Sequence, residues 1–541
     1  MTRIAGWFDD IFLDLARQMR WSFLPPLMVY FAFGASGITA IVGTFFVKEY
    51  LDLSAAFLAG LAFWAGLPWA LKMPLGHLVD LIWRWKAGLV WLGAALMAAS
   101  FAIMFGLATR VPWMTEIISA TAWYVLAVLL APCGYVIQDA VADAMSVEAV
   151  PEVDENGLPL PEDQTRTMHT TMQTLGRFAL ISGLSLVAAV NIFLFAGIED
   201  LPREAKEAIY GRIYLLALIL PCLSVSGVVL ATVQARMRLR ALLAAGVGRA
   251  DATARVFRSP EAVQLNHWYF TGGAAFVAVS LTVGLGEVPF AQEIVFAGSM
   301  TIVLILMRQL IRALDPAQAQ VLVGTAIIIF VFRAVPLPGA GLTWFEIDAL
   351  GFDQQFLSVL SLITAVLTLA GLVILRPLMA RRSIVYIVIL LTLAAGVLSM
   401  PNLGLYYGLH HWTAAMTGGV VDARFIAVMD TAVESPLGQI AMIPMLAWIA
   451  RNAPDNLKAT FFAVMASFTN LALSASSLST RYLNEIFVVT RQVTDPATGA
   501  IMTAADYTQL GWLLISVALV TVAAPLIAIW MVQRSRFKTD E

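Results

Sequence analysis

The chain is poor in charge. Only 13% of its 541 residues are Asp, Glu, Lys or Arg, whereas 60% are hydrophobic. The mean hydropathy is +0.82. A soluble fold of this length cannot hide so much apolar surface from water. The shortage of charge therefore excludes an ordinary soluble protein and indicates a polytopic membrane protein.

Cysteine and catalytic motifs are also scarce. The two cysteines, Cys133 and Cys222, both lie in apolar runs, which excludes a disulfide framework and a Cys-rich metal site. The sequence has no His-Glu-x-x-His, no Gly-x-Ser-x-Gly and no P-loop, the motifs that would indicate common hydrolases or nucleotide-binding enzymes. We therefore expect a protein that is not an enzyme and that binds no metal, cofactor or nucleic acid.

Long apolar segments are abundant. Crossing a hydrocarbon core of about 30 Å takes about 20 apolar residues. This template predicts an all-α membrane protein with fourteen spans, near 22–45, 53–72, 87–109, 118–145, 168–196, 209–234, 263–284, 290–311, 317–337, 355–377, 383–402, 419–450, 458–488 and 508–533.

The charge distribution predicts the orientation. An even number of spans places both termini on one side of the membrane, and most of the 33 Lys and Arg residues fall in the tails and loops on that side. Because cytoplasmic loops carry the excess of basic residues, we expect both termini to be cytoplasmic. The protein is expected in the bacterial inner (plasma) membrane.

The spans suggest two halves. The predicted segments are a cytoplasmic amphipathic helix at 1–21, an N-terminal six-helix bundle at 22–234, a basic cytoplasmic linker at 235–262, two additional transmembrane helices at 263–311, and a C-terminal six-helix bundle with a short tail at 312–541. Two six-helix halves joined by a cytoplasmic linker resemble the major facilitator fold, in which the halves rock around a site at mid-membrane. We expect the additional helices to pack outside this twelve-helix core, because the two halves already form a closed pair.

A short motif between spans two and three supports this layout. "LKMPLGHLVDLIWRWK" at 71–86 contains Lys72, Gly76, Asp80 and Arg84. Facilitators carry a Gly-x-x-x-Asp followed by basic residues at this place. The pattern predicts a close helix approach at Gly76 and a carboxylate, Asp80, that latches a neighbouring helix end as part of a gate.

Four longer stretches carry a resemblance to one family. "VIQDAVADAMSVEA" at 136–149 resembles the fourth-helix signature of the folate-biopterin transporters, and the stretches at 170–183, 330–357 and 430–472 are similar to later segments of that family. Muropeptide permeases also resemble the chain at "QDAVADA" and share the extra helices. The Pro-rich stretch at 330–357 favours the folate-biopterin family.

The resemblance implies a function. It implies a secondary active transporter that moves a folate- or pterin-like organic anion by alternating access, with a proton or another ion as the coupling partner, in the lipid bilayer and as a monomer. Two alternatives stay open: a muropeptide-permease-like importer, and a receptor or assembly factor that uses the facilitator scaffold without transporting.

Two pairs of acids lie inside predicted spans. Asp139 and Asp143 are one helical turn apart in span four, and Asp430 and Glu434 are one turn apart in span twelve. A carboxylate at mid-helix costs about 2.5–3.5 kcal/mol on insertion scales, so these acids must face a cavity or be paired. We expect them on the substrate or proton pathway, with a structural latch as the alternative.

Basic side chains inside the spans complete the predicted site. Arg177 and Arg424 lie in spans five and twelve, and a guanidinium group binds a carboxylate through two parallel hydrogen bonds and stacks on planar rings. Asn470, in the stretch at 430–472, is the remaining candidate on the pathway.

Overall fold

The computed structural model describes most of the chain. The described residues are 19–51, 53–70, 72–150, 160–198, 201–256, 267–285, 288–312, 315–374, 382–437, 458–494 and 501–539. Nearly all of the predicted helix at 1–21 and the last part of the predicted linker, 257–266, lie outside them. Part of predicted span twelve, 438–450, also lies outside.

Within these ranges the regular secondary structure is helical apart from one small hairpin. The α-helices are α1 Leu24–Ala35, α2 Ala40–Tyr50, α3 Ala55–Ala70, α4 Lys72–Leu81, α5 Lys86–Ala108, α6 Pro112–Ile117, α7 Ala120–Glu148, α8 Glu162–Leu194, α9 Arg203–Ala217, α10 Ile219–Ala244, α11 Arg249–Val256, α12 His267–Leu285, α13 Ala291–Ile311, α14 Pro316–Arg333, α15 Ala340–Asp348, α16 Gln354–Ile374, α17 Ile384–Leu398, α18 Met400–Tyr406, α19 Leu409–Thr417, α20 Ala423–Glu434, α21 Lys458–Ile486 and α22 Leu510–Gln533. Short 3₁₀ turns lie at Trp21–Phe23, Ser36–Thr39, Trp83–Trp85 and Ser435–Leu437.

The hairpin was not predicted. Strand β1, Val493–Thr494, pairs antiparallel with β2, Ile501–Thr503, and an isolated bridge joins Thr490 to Asp506. These residues lie in the connection between α21 and α22. Val, Ile and Thr favour extended backbone over helix because their side chains branch at Cβ.

Nine helical segments among the described residues are long and apolar enough to cross a membrane. They are Trp21–Lys48, Lys86–Ala108, Ala120–Ser146, Thr174–Leu194, Glu204–Ala244, Pro316–Arg333, Gln354–Gly371, Ile384–Tyr406 and Leu510–Gln533. Two shorter apolar helices, Ala55–Trp69 and Ala291–Ile305, coincide with predicted spans two and eight. The protein is therefore an integral membrane protein, and the count of fourteen spans stays a prediction.

The first span is broken, and glycines pack it closely against another span. A 3₁₀ turn at Ser36–Thr39 separates α1 from α2. A Cβ built on Gly34 would lie 1.8 Å from the carbonyl oxygen of Leu180 on α8, and one built on Gly183 would lie 2.5 Å from the carbonyl oxygen of Phe31. Small residues allow this backbone contact, which is a common way for membrane helices to associate.

The predicted linker begins inside a helix. Helix α10 continues past residue 234 through Arg236, Arg238 and Arg240 and ends at Ala244. Arg, Leu, Met and Ala are good helix formers, so the basic residues do not stop the helix. Gly246, with φ of +84°, follows the end of the helix, as glycine commonly does.

The chain divides into two compact units. The first contains Met1–Ala40, Pro74–Asn191 and Leu201–His267, and the second contains Ile41–Met73, Ile192–Asp200 and Trp268–Glu541. Residues 41–73 were predicted in the N-terminal bundle, yet they belong to the second unit because α3 packs closely against α21. The boundaries of the two predicted bundles, 22–234 and 312–541, stay predictions.

One of the two additional helices has a clear neighbour. In the second unit α13 packs against α21 and α3. The Gln292 side chain on α13 donates to the Gly60 carbonyl oxygen over 3.3 Å and accepts from Arg481 Nη1 over 3.1 Å. The predicted position of the helix pair outside a twelve-helix core stays a proposal.

Candidate functional site

The acid pair of α7 lies in the first unit and contacts α1. The hydroxyl of Tyr30 on α1 donates to Asp143 Oδ1 over 2.7 Å. Tyr30 is buried, and a Cβ built on Gly176 would lie 3.0 Å from its ring. Asp139 also takes part in polar or electrostatic interactions. The Tyr30 bond therefore fixes the Asp143 carboxylate and joins α1 to α7.

A second polar group of α7 holds two further helices. Gln138, which is buried, donates from Nε2 to the Val90 carbonyl oxygen over 3.0 Å and to Ser224 Oγ over 2.9 Å. These bonds join α7 to α5 and α10. Sequence reasoning missed both Gln138 and Tyr30, although a polar side chain within an apolar span was a usable signal.

Arg177 lies on a defined side of α8. Successive helical residues turn about 100°, so Arg177 and Leu184, seven residues apart, share a face that is about 180° from Leu186. Leu186 and Phe193 are 52% and 81% exposed, which is expected of a lipid-facing side in a membrane span. Arg177 lies on the opposite face, where it is exposed and Leu184 is 39% exposed, so α8 is exposed on both faces.

The acid pair of α20 lies in the second unit, where Asp430 is half-buried and Glu434 is exposed. Phe425, Met429 and Val433 form an exposed apolar stripe. Glu434 is nine residues from Phe425 and therefore about 180° away on the helix. Asp430 shares its face with Ala423, which is buried against other helices.

Asp430 is surrounded by few polar partners. The Asn402 side chain on α18 donates from Nδ2 to Asp430 Oδ2 over 3.4 Å. The other oxygen, Oδ1, is buried and has no hydrogen-bond donor among the described residues. A buried acceptor without a donor is costly, which makes Asp430 a candidate functional residue.

A third acid, Glu346, lies near this pair. It lies on α15, between two spans, and burial raises the pKa of Glu346 to about 7, with a further contribution from Asp430. Sequence reasoning missed Glu346 because it lies between the predicted spans 317–337 and 355–377. Because the charge of Asp430 affects Glu346, Glu346 joins Asp430 and Glu434 as a third titratable group.

Arg424 is already engaged. It lies in the first turn of α20, where Nη2 is 2.8 Å from Asp353 Oδ2 and donates to the Gly351 carbonyl oxygen over 3.0 Å. The guanidinium also lies 5.1 Å from the ring centroid of Phe356. These contacts fix the start of α20 to the turn before α16, so an anion would compete with Asp353 for Arg424.

The remaining predicted residues are placed as follows. Asn470 on α21 donates to the Trp69 carbonyl oxygen of α3 over 3.2 Å, which makes it a helix-to-helix contact. The close approach predicted at Gly76 is not found, because a Cβ there meets no described atom within 4 Å. Lys72 has electrostatic or hydrogen-bond partners, and the side chains of Asp80 and Arg84 lie outside the described residues.

No group of three or more His, Cys, Asp or Glu side chains is placed to hold a metal ion within the residues that the structure describes. The two acid pairs are thus carboxylate sites in a helical membrane protein, each with its own set of polar neighbours.

The family model of the BT1 family matches residues 173–541. The chain belongs to the BT1 family. A curated relative, the folate-biopterin transporter of Synechocystis sp., is 23% identical over 478 residues, which are 87% of this chain and 76% of the relative. The predicted resemblance to the folate-biopterin transporters is confirmed.

Solved structures confirm the fold of this BT1-family chain. A POT family transporter in complex with 5-aminolevulinic acid aligns with a TM-score of 0.61 and 12% identity over 96% of both chains. A mutant of the nucleoside transporter NupG aligns with a TM-score of 0.53 and 11% identity over 94% of this chain and 98% of its own. Both are transporters of the major facilitator type. The BT1-family chain therefore has the same all-α fold as these transporters.

Proposed function

We propose that this chain is a secondary active transporter that moves a folate- or pterin-like organic anion by alternating access, coupled to protons. The observation that carries the proposal is the match of the BT1 family model over 173–541, together with a relative named as a folate-biopterin transporter. The substrate enters here by similarity, and the side chains must supply its recognition.

Arg177 is the proposed anchor for the anionic group. It lies on the side of α8 opposite Leu186 and has no ion pair among the described residues. An exposed guanidinium can bind a carboxylate through two hydrogen bonds and stack on a planar ring. Arg424 is the second candidate, and its role requires an anion that replaces Asp353.

Asp430 and Glu434, with Glu346, are the proposed coupling acids. When a cavity closes and water leaves, a carboxylate favours its protonated form, and it releases the proton when water returns. Neighbouring carboxylates also titrate as a coupled group. The buried, unpaired Oδ1 of Asp430 supports this role.

Asp139 and Asp143 are proposed to line the pathway in the first unit. The Tyr30 bond to Asp143 equally suits a latch that holds α1 against α7, which was the alternative for this pair. Asn470 and the motif of Lys72, Gly76, Asp80 and Arg84 complete the proposed pathway and gate. We further propose a monomer in the bacterial inner membrane, with both termini cytoplasmic.

Ligand-induced thermal stabilisation tests the substrate class. A ligand that binds only the folded state raises the free energy of unfolding by RT ln(1 + [L]/Kd). Purified protein should be stabilised by folates or pterins and not by muropeptides or nucleosides. In the Arg177→Ala variant we expect the folate-induced shift to fall to near zero, with a smaller loss in Arg424→Ala.

Arg110→Ala is the matched control, since Arg110 pairs with Glu207 at another place in the first unit. Its folate-induced shift should equal that of the unchanged protein. Stabilisation by muropeptides alone would favour the permease-like importer. If Arg177→Ala and Arg424→Ala show the same folate-induced shift as the unchanged protein, these residues do not belong to the site.

A further inference from the structure

A basic stretch of α10 lies where the helix leaves the membrane. The 23 residues 213–235 carry no charge, and they belong to one long helical segment, Glu204–Ala244. At about 1.5 Å per helical residue they extend about 34 Å, which matches a hydrocarbon core of about 30 Å. The next turns of the helix, which carry Arg236, Arg238 and Arg240, therefore lie level with the phospholipid head groups.

A contact between distant parts of the first unit adds a further arginine to this surface. The side chain of Gln234, which is 7% exposed, donates from Nε2 to the Trp21 carbonyl oxygen over 2.8 Å. This bond holds the segment that precedes α1 against the end of the uncharged stretch. Arg238 lies one turn beyond Gln234 and about 40° around the helix, so it emerges on the side of α10 next to Arg20 and Trp21.

The arginines of this surface have no acidic partner. Arg20, Arg236, Arg238 and Arg240 are exposed and form no ion pair among the described residues. Asp251 on α11, the next acid along the chain, is also exposed. The last turn of α10 holds no basic residue, so the arginines are not placed to offset the helix dipole, whose effect is confined to that turn. Because like charges repel, the cluster favours an anionic partner.

We propose that Arg20, Arg236, Arg238 and Arg240, the α10 arginine surface, bind the phosphate groups of anionic phospholipids in the leaflet at this end of the helix. A guanidinium forms two parallel hydrogen bonds with a phosphate, and arginines clustered beside a membrane span attract anionic lipids. Trp21, which is 64% exposed, lies beside the cluster, and tryptophan is enriched at the membrane interface. In the predicted orientation this leaflet is the cytoplasmic one.

The position of the surface favours a lipid over a soluble anion. Met237 and Leu243, on the same part of α10, are 56% and 39% exposed. Apolar side chains among arginines suit the boundary where acyl chains meet head groups. An excess of positive charge alone would orient the chain in the membrane, but it would not require arginines from two distant segments to share one surface. The bond from Gln234 to Trp21 brings these segments together.

Thermal unfolding of the detergent-purified protein tests the lipid site without any transport substrate. Phosphatidylglycerol should raise the unfolding temperature more than phosphatidylcholine does, and about 0.5 M sodium chloride should reduce the difference, because salt screens exposed charges. The apparent Kd for phosphatidylglycerol, obtained from the shift at increasing lipid, should rise roughly fivefold in Arg238→Gln and further when Arg20→Gln is added. Arg238→Lys, which keeps the charge but loses the two parallel hydrogen bonds, should fall between these values and the unchanged protein.

Arg212→Gln is the matched control, because it removes one exposed arginine at the other end of the uncharged stretch and should leave the Kd unchanged. Equal shifts with phosphatidylglycerol and phosphatidylcholine would overturn the proposal. So would a Kd that Arg20→Gln with Arg238→Gln leaves unchanged, or that Arg212→Gln raises to the same degree, because net charge would then explain the effect.

Sodium phosphate at matched ionic strength separates a lipid from a soluble anion. Stabilisation by phosphate equal to that by phosphatidylglycerol, and lost in the same variants, would make the surface a site for free phosphate and would contradict the lipid proposal. If Arg20→Gln with Arg238→Gln fails to fold, Arg236→Gln with Arg240→Gln replaces it. These two arginines share the other side of α10, and the same rise in the Kd is expected.

Discussion

In proteoliposomes that contain the Asp430→Asn variant, we expect folate accumulation driven by a pH gradient to fall to the level seen without a gradient. Asparagine fills the same volume and can hydrogen-bond to Asn402, but it cannot take up and release a proton. Exchange of labelled for unlabelled folate, which needs no net proton movement, should continue. The measurement compares both processes in the same vesicles.

Asp251→Asn is the control for Asp430→Asn, because it removes an exposed carboxylate of α11 and should leave both processes unchanged. Glu346→Gln tests whether Glu346 shares the proton with Asp430. If the pH optimum of gradient-driven folate accumulation shifts while coupling is retained, Glu346 influences the coupling acid without being it. If Asp430→Asn still concentrates folate in response to the gradient, a structural role in the helix packing becomes the better account of this carboxylate.

The second large effect concerns folding. Gly34→Ala is expected to lower the thermal unfolding temperature strongly and to reduce the yield of folded protein, since the new Cβ would lie 1.8 Å from the Leu180 carbonyl oxygen. Helices α1 and α8 would have to separate, and overpacking of a tight contact costs about 1–3 kcal/mol or more. Size-exclusion chromatography and thermal unfolding of purified protein measure the loss.

Gly88→Ala is the matched control, because a Cβ at this position of α5 meets no described atom within 4 Å. Alanine is favoured over glycine in a helix by roughly 0.5–1 kcal/mol, so this variant should be as stable as the unchanged protein or slightly more stable. A Gly34→Ala protein with unchanged thermal stability would show that α1 and α8 do not depend on the glycine contact.

The sequence predicted those helices that are marked by a single long apolar run. The apolar runs predicted at 87–109 and 508–533 correspond to Lys86–Ala108 and Leu510–Gln533, because hydropathy reports directly on burial in lipid. The 3₁₀ turn at Ser36–Thr39 was missed, since it lies within an unbroken apolar run. The helical start of the predicted linker was missed because charge marks the end of the membrane and not the end of a helix.

The candidate site was only partly predictable for a related reason. The acids of α20 stand out in an apolar span, and the helical period alone places Glu434 opposite Phe425. Their neighbours do not stand out in the same way: Glu346 lies in a polar connection, and Asn402 lies at the end of another helix. The bond from Gln234 to Trp21 joins residues far apart in the chain, which no local pattern can indicate.

Uptake of labelled folate by the purified chain in liposomes tests the central claim most directly. With an imposed pH gradient we expect saturable accumulation above the level of protein-free liposomes, abolished by a protonophore and reduced by excess unlabelled pterin. Absence of uptake in vesicles that contain folded, inserted protein, or uptake of muropeptides in place of folate, would contradict the proposal that this BT1-family chain carries a folate- or pterin-like anion.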